Sequence, residues 1–270
     1  MFQVHQPKAA IVFASFLFAC ACSAAPASDA TAEADAPAAS VRDEAASAPA
    51  HVATTGTEIE LSAVPETASE AAAEAYAMIF SGATTKSVTL DGKSYDLHGV
   101  DLTDIGGGVS ALFSVGAGED CGSCSGINAV HYLEDSEQGW MLKSDHLNIG
   151  AAGIMGNPAS EWAISRLLAD NPVLITRGGG VWQGYACDVI NLTELAPSGP
   201  VNRGTIPFSY SNGGATENAR EAIDLNGTLV SGEAGKTFSI RFTGSSSFTQ
   251  SYELKNGTYE LVGTSNLPTC

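Results

Sequence analysis

The stretch TFSIRFTGSSSFTQSYELKNGTYEL, residues 237–261, decides the fold class. Phe238, Ile240 and Phe242 alternate with polar residues, and Phe248, Tyr252 and Leu254 carry a similar pattern onward. Successive side chains of a strand point to opposite faces, so this alternation predicts strands with one buried and one wet face. Asn256-Gly257 then supplies a tight hairpin turn into Tyr259 and Leu261. The three runs predict an antiparallel meander.

Similar signals extend upstream. In SVTLDGKSYDL, residues 87–97, Asp91-Gly92 separates two alternating runs and predicts a hairpin. VSALFSV, residues 109–115, is apolar enough for a buried strand. AVHYLE and WMLK flank a polar turn at residues 135–139 and predict a second hairpin. PVLITRGGGVWQGYACDVINL, residues 172–192, reads as two long strands turning at Gly178-Gly179-Gly180.

Two segments have helical character. PETASEAAAEAYAMIF, residues 65–80, is rich in helix formers and sets Ala72, Tyr76, Ile79 and Phe80 on one face, with Gly82 as a stop. A second helix is expected where Asn157 caps, Pro158 fits the first turn and Trp162, Leu167 and Leu168 supply contacts before Asp170-Asn171-Pro172. The expected fold is mainly β, sandwich-like, with antiparallel hairpins, a C-terminal meander and one or two packed helices. The body is expected to be a single domain over residues 56–270, with a C-terminal subdomain from about residue 200 as a further possibility.

The N-terminal part has a different character. Residues 9–19 form an apolar run too short to span a bilayer but suited to a signal-peptide core, so residues 1–22 are read as an export signal, lipoprotein-type or ordinary secretory. Leu17-Phe18-Ala19-Cys20 and Ala19-Cys20-Ala21-Cys22 resemble the bacterial lipoprotein processing box. That resemblance implies lipidation at Cys20 or Cys22, and Phe18 fits the first box poorly. Residues 23–55 are Ala, Ser, Thr, Pro and acidic, with Val41 and Val52 the only aliphatics larger than alanine. Such a segment builds no core and is expected to be a disordered tether. As a flexible coil it reaches about 30 Å root-mean-square.

The chain carries 30 acidic and 12 basic residues, a formal net charge of −18. That surface repels phosphate backbones, which excludes nucleic acid as an expected ligand.

Beyond the signal there are four cysteines, Cys121, Cys124, Cys187 and Cys270. An even number in an exported chain points to two disulfides with three possible connectivities. Cys121–Cys124 with Cys187–Cys270 is the preferred pairing. The second would close a long loop and pin the end of the final strand.

Cys121-Gly-Ser-Cys124 is similar to the redox motif of thioredoxin-like proteins, and that resemblance implies a thiol-disulfide oxidoreductase using this pair. Glu119 and Asp120 oppose the lowered thiol pKa that such chemistry needs, and the segment after Cys124 reads as strand. The same letters look like the cysteine stretch of papain-like proteases. Ser125 stands where that family has an aromatic, and no histidine follows His146 to act as a base. Gly122-Ser-Cys124-Ser-Gly126 also fits a nucleophile elbow, without the strand-to-helix turn it requires.

Other candidates are weaker. Cys121, Cys124, His131 and His146 have irregular spacing for zinc, and oxidised cysteines would not bind it. His131 is read as a strand residue facing water or a satisfied partner. VDLTDIGGG, residues 100–108, resembles the calcium loops of FG-GAP repeats, which makes Asp101 and Asp104 weak metal candidates. Thr103 and Ile105 stand where that pattern wants ligands, so the main reading is a solvated turn joining two strands. Trp140, Trp162, Trp182 and Tyr185 could line a ligand groove, with VWQGY, residues 181–185, as the place to look. No catalytic residue set and no cofactor signature is read from the sequence.

Together these point to an exported, lipid-anchored bacterial envelope protein, periplasmic or attached to the outer membrane, otherwise secreted. Its expected role is a non-catalytic binding or structural module for an unknown protein, glycan or small molecule. The alternative is an exported enzyme, foremost the oxidoreductase.

Overall fold

The computed structural model describes residues 56–270. Short strands β1 (Glu58–Ile59) and β2 (Ser62–Ala63) precede one helix, α1 (Glu70–Ile79). Hairpins follow: β3 (Lys86–Leu90) with β4 (Lys93–Gly106), β5 (Val109–Ala117), then β6 (Ile127–Ser136) with β7 (Gly139–Leu147). The second half comprises β8 (Glu161–Ser165), β9 (Val173–Trp182), β10 (Tyr185–Ala196), β11 (Gly199–Ser211), β12 (Asp224–Ser231), β13 (Thr237–Gly244), β14 (Phe248–Lys255) and β15 (Thr258–Leu261). All pairings are antiparallel. The expected mainly-β class is what the chain adopts, and the 237–261 meander is β13–β14–β15.

Two sheets form. The smaller has the order β3-β4-β5-β6-β7, and the larger runs β15-β14-β13-β12-β11-β10-β9-β8-β2, with β1 joined to β12. Strands β11 and β12 share only the register from Ser209↔Asn226 to Ser211↔Asp224 before they part. The larger sheet therefore curls on itself. Its inner core draws Val173 and Ile175 from β9, Ile190 and Leu192 from β10, and Phe208 from β11 against Phe238, Ile240 and Phe242 from β13.

Alternation explains how the layers stack. On β5, Val109, Ala111, Phe113 and Val115 join Leu174, Leu195, Trp162 and Ile164 of the larger sheet in one core. Leu112, on the opposite face, packs with Ala72, Ala75 and Tyr76 of α1. Burial on both sides is why this strand is apolar almost throughout. Gly99 on β4 lets the helix approach, since a Cβ there would sit 3.2 Å from the Tyr76 ring.

The helix starts later than its composition implies. Ser69 is the N-cap and accepts from the Ala72 amide, leaving residues 65–68 as a non-helical segment that bends at Glu66 and Thr67. Gly82 stops it as expected, with φ +86° and its amide donating to the Ala77 carbonyl at 2.6 Å.

The second expected helix is not formed. Glu161–Ser165 is strand β8, placed between β2 and β9. Trp162 and Ile164 face the intersheet core while Ala163 faces the inner one, a period of two that outweighs the local capping signals. Strands β11 and β12 carried no strand expectation. Pro200, Gly204 and Pro207 interrupt the pattern of β11, and Pro207 is tolerated at a register shift opposite Val189.

Candidate functional site

Strands β9 and β10 end in the pair Trp182↔Tyr185. Gln183 at φ +51° and Gly184 at φ +85° make the two-residue turn between them. The side chains at this tip face solvent: Trp182 is 71% exposed, Val181 59% and Tyr185 41%. Tyr185 leans toward Tyr210 with ring centres 6.3 Å apart, and the Gly214 amide donates to the Gly184 carbonyl at 3.1 Å.

The tip stands on a braced platform. Residues 150–156 lie along β9, with Ala152 over Gly178 and Ile154 over Gly180, where a Cβ on either glycine would collide. The expected turn at Gly178-Gly179-Gly180 is thus corrected: these glycines are strand interior, with the Ala152 backbone over Gly178, Cys187 and Asp188 of β10 against Gly179, and the Ile154 side chain over Gly180. Buried Asn128 donates to the carbonyls of Ile149 and Ala151 and accepts from the Ala159 amide, clamping both ends of the crossing segment. Replacing Gly178 by Val is expected to cost about 1–3 kcal/mol and to speed amide exchange over residues 150–156. Gly122→Ala, at an open position, is the silent comparison.

The Cys121–Cys124 bond belongs to the same brace. The Cys124 carbonyl accepts from the Gly156 amide, Gly118 donates to the Gly156 carbonyl, and Gly126 donates to that of Asn157. The loop leads into a strand, β6, and not into a helix. Lys93 Nζ lies 4.0 Å from Cys124 Sγ. Cys187, two residues beyond Tyr185, is bonded to Cys270 and ties the other side of the hairpin to the C-terminal tail.

Below the tip, Arg177 is held by Asp188 at 2.6 Å and Glu161 at 3.0 Å, with its guanidinium 5.3 Å from the Phe208 ring centre. Burial works against its charge, but the two carboxylates outweigh it and raise its pKa. Arg177 is thus already neutralised and has little to offer an anionic ligand.

The other candidate residues are dispersed. Asp101 is in strand β4, not in a turn, and accepts from Ser69 Oγ at 3.2 Å. Asp104 accepts from the Gly106 amide at 2.8 Å as the strand ends. His131 does not face water: it is 1% exposed beneath α1, with Nδ1 2.6 Å from Asp145 Oδ1. His146, on the same strand as Asp145, contacts Ser144 Oγ at 3.0 Å and the Tyr132 ring. No hydrogen bond joins any two of Asp101, Asp104, His131, His146 and Cys124 among the described residues.

The expected aromatic groove does not assemble either. Trp140 packs with the α1 core, and Trp162 packs on Phe113 with ring centres 5.3 Å apart. Only Trp182 and Tyr185 share a place. The candidate lipidation residues Cys20 and Cys22 lie outside the described residues. What sequence reading missed is the platform, whose trace is the i, i+2 spacing of Gly178 and Gly180.

Fold and tip together define a β-rich body presenting a braced aromatic hairpin. Comparison with protein-family models, curated proteins and solved structures gave no match.

Proposed function

We propose that this chain is a lipid-tethered envelope module that holds a partner at the β9–β10 tip without chemistry of its own. The observation that carries the reading is Trp182, 71% exposed on a turn whose base is fixed by backbone contacts and by a disulfide. A hairpin backbone already fixed at its base has little further order to gain on docking, and a large exposed indole is the kind of side chain favoured among binding hot spots. Two disulfides fit an oxidising compartment. The signal-like residues 1–22 and the acidic linker 23–55 support a body held off a membrane. With a net charge of −18, the favoured partner is an uncharged or cationic protein or glycan surface.

A photo-crosslinking side chain at Gln183, in cells expressing the full chain, is the test. Wild type should give a discrete adduct, and Trp182→Ala should weaken it at least about tenfold. Stability should move by no more than about 0.5 kcal/mol, since the residue is exposed. Equal adducts with Trp182→Ala and Tyr185→Ala combined would end the proposal.

A further inference from the structure

The Cys121–Cys124 bond closes a surface turn in which the Cys124 amide donates to the Cys121 carbonyl at 3.0 Å. Its two sulfurs have different surroundings. Cys121 is half-buried and is followed by exposed Gly122 and Ser123, and a side chain at Gly122 would meet nothing within 4 Å. Cys124 is 8% exposed, with Lys93 Nζ 4.0 Å from its sulfur. Lys93 makes no ion pair among the described residues, so no carboxylate offsets its charge there. Glu119 and Asp120 stand immediately before Cys121.

A cation beside a cysteine favours its thiolate, and neighbouring carboxylates disfavour one. In thiol–disulfide exchange the accessible sulfur is attacked and the better-stabilised thiolate leaves. Both conditions select the same direction here. We infer that Cys121–Cys124 is an exchange site for a dithiol reductant, and that opening it loosens the β9–β10 tip. A thiolate of the reductant attacks Cys121 Sγ, the Cys121–Cys124 bond breaks, and Cys124 leaves as a thiolate beside Lys93. The reductant's second thiolate then attacks its own sulfur in the mixed disulfide and releases Cys121. Two electrons pass to the protein, the two protons given up by the reductant balance the two cysteine thiolates formed, and the reductant departs as its disulfide.

The consequence for the tip follows the hydrogen bonds. The Gly156 carbonyl accepts from Gly118, which precedes the bonded pair, and the Gly156 amide donates to the carbonyl of Cys124, which ends it. The disulfide holds those two limbs together around Gly156. Ile154, two residues back, covers Gly180, itself two residues from Trp182. Reduction frees the limbs and, with them, the segment lying over β9. This consequence rests on reading the tip as the binding place.

The test uses the full chain under native conditions, with dithiothreitol as the reductant and timed alkylation with peptide mapping to follow each cysteine. Cys121 and Cys124 should open together, and Lys93→Met should slow their opening about threefold or more, through the lost charge at the leaving sulfur. Hydrogen exchange is the second readout. Cys121→Ser combined with Cys124→Ser removes this bond without reductant and leaves Cys187–Cys270 alone. Exchange over residues 150–156 should then speed at least about tenfold, and more than over the meander at 237–261. Wild type held in dithiothreitol should show the same acceleration at 150–156. The inference fails if the bond resists dithiothreitol in the native protein, if Lys93→Met opens as fast as wild type, or if opening the bond leaves exchange over 150–156 unchanged. A missing crosslink at Gln183 would end the binding reading alone, since neither readout involves a partner.

Discussion

Replacing Cys187 by serine is expected to lower stability by about 4.5 kcal/mol, and replacing Cys121 by serine by only about 2. The difference comes from how much freedom each bond removes from the unfolded chain. Cys187–Cys270 spans a sequence separation of 83, and Cys121–Cys124 a separation of 3. For a body of this size the first change should lower the melting temperature by about 10–15 °C and the second by about 5 °C. Calorimetry of both variants, without reductant, measures this directly. Cys270→Ser should agree with Cys187→Ser, because each breaks the same cross-link. A similar small shift for all three would mean that the tail is already held by contacts such as buried Leu267.

Phe113→Ala is expected to cost about 3–5 kcal/mol while leaving one cooperative transition. Phe113 is 1% exposed, projects from the smaller sheet and packs on Trp162 of the larger. Its removal opens a void where the two sheets meet. On β9, Leu174 contributes to that seam while Val173 and Ile175 contribute to the inner core. One strand thus serves both cores, and weakening either should destabilise the whole. Two separated transitions in the variant would show that the sheets are independent bodies.

The legible parts of this fold were those encoded locally. Alternation over residues 237–261 exposed the meander, and Asp91-Gly92 and Asn256-Gly257 marked turns that the chain makes at positive φ. The helix was legible from its alanine-rich composition, though not the role of Ser69 as its cap. Residues 157–168 misled because capping and proline signals are local, whereas the partners of Trp162 and Ile164 are distant in sequence. The three glycines at 178–180 misled for a related reason. Glycine serves both turns and close backbone crossings, and only the position of Ala152 separates the two uses.

Candidate chemistry was legible only as residue types. The sequence shows His131 and Asp145 separately, but strand register sets them opposite one another. Trp182 and Tyr185 were identifiable because a hairpin turn of two residues keeps neighbours in sequence neighbours in space.

The pairing of β1 with β12 has a consequence for how the molecule comes into being. The Thr57 amide reaches Ser231 Oγ at 3.0 Å across 174 positions, and the Ser231 amide returns to the Thr57 carbonyl. A chain emerging from the ribosome cannot make that closure until β12 has been synthesised, so its first strand waits unpaired while most of the body is made. Contacts of such long reach slow folding and prolong the time spent open. For a soluble protein maturing in place, that delay invites aggregation; for one threaded through a membrane pore, late locking keeps the polypeptide transportable.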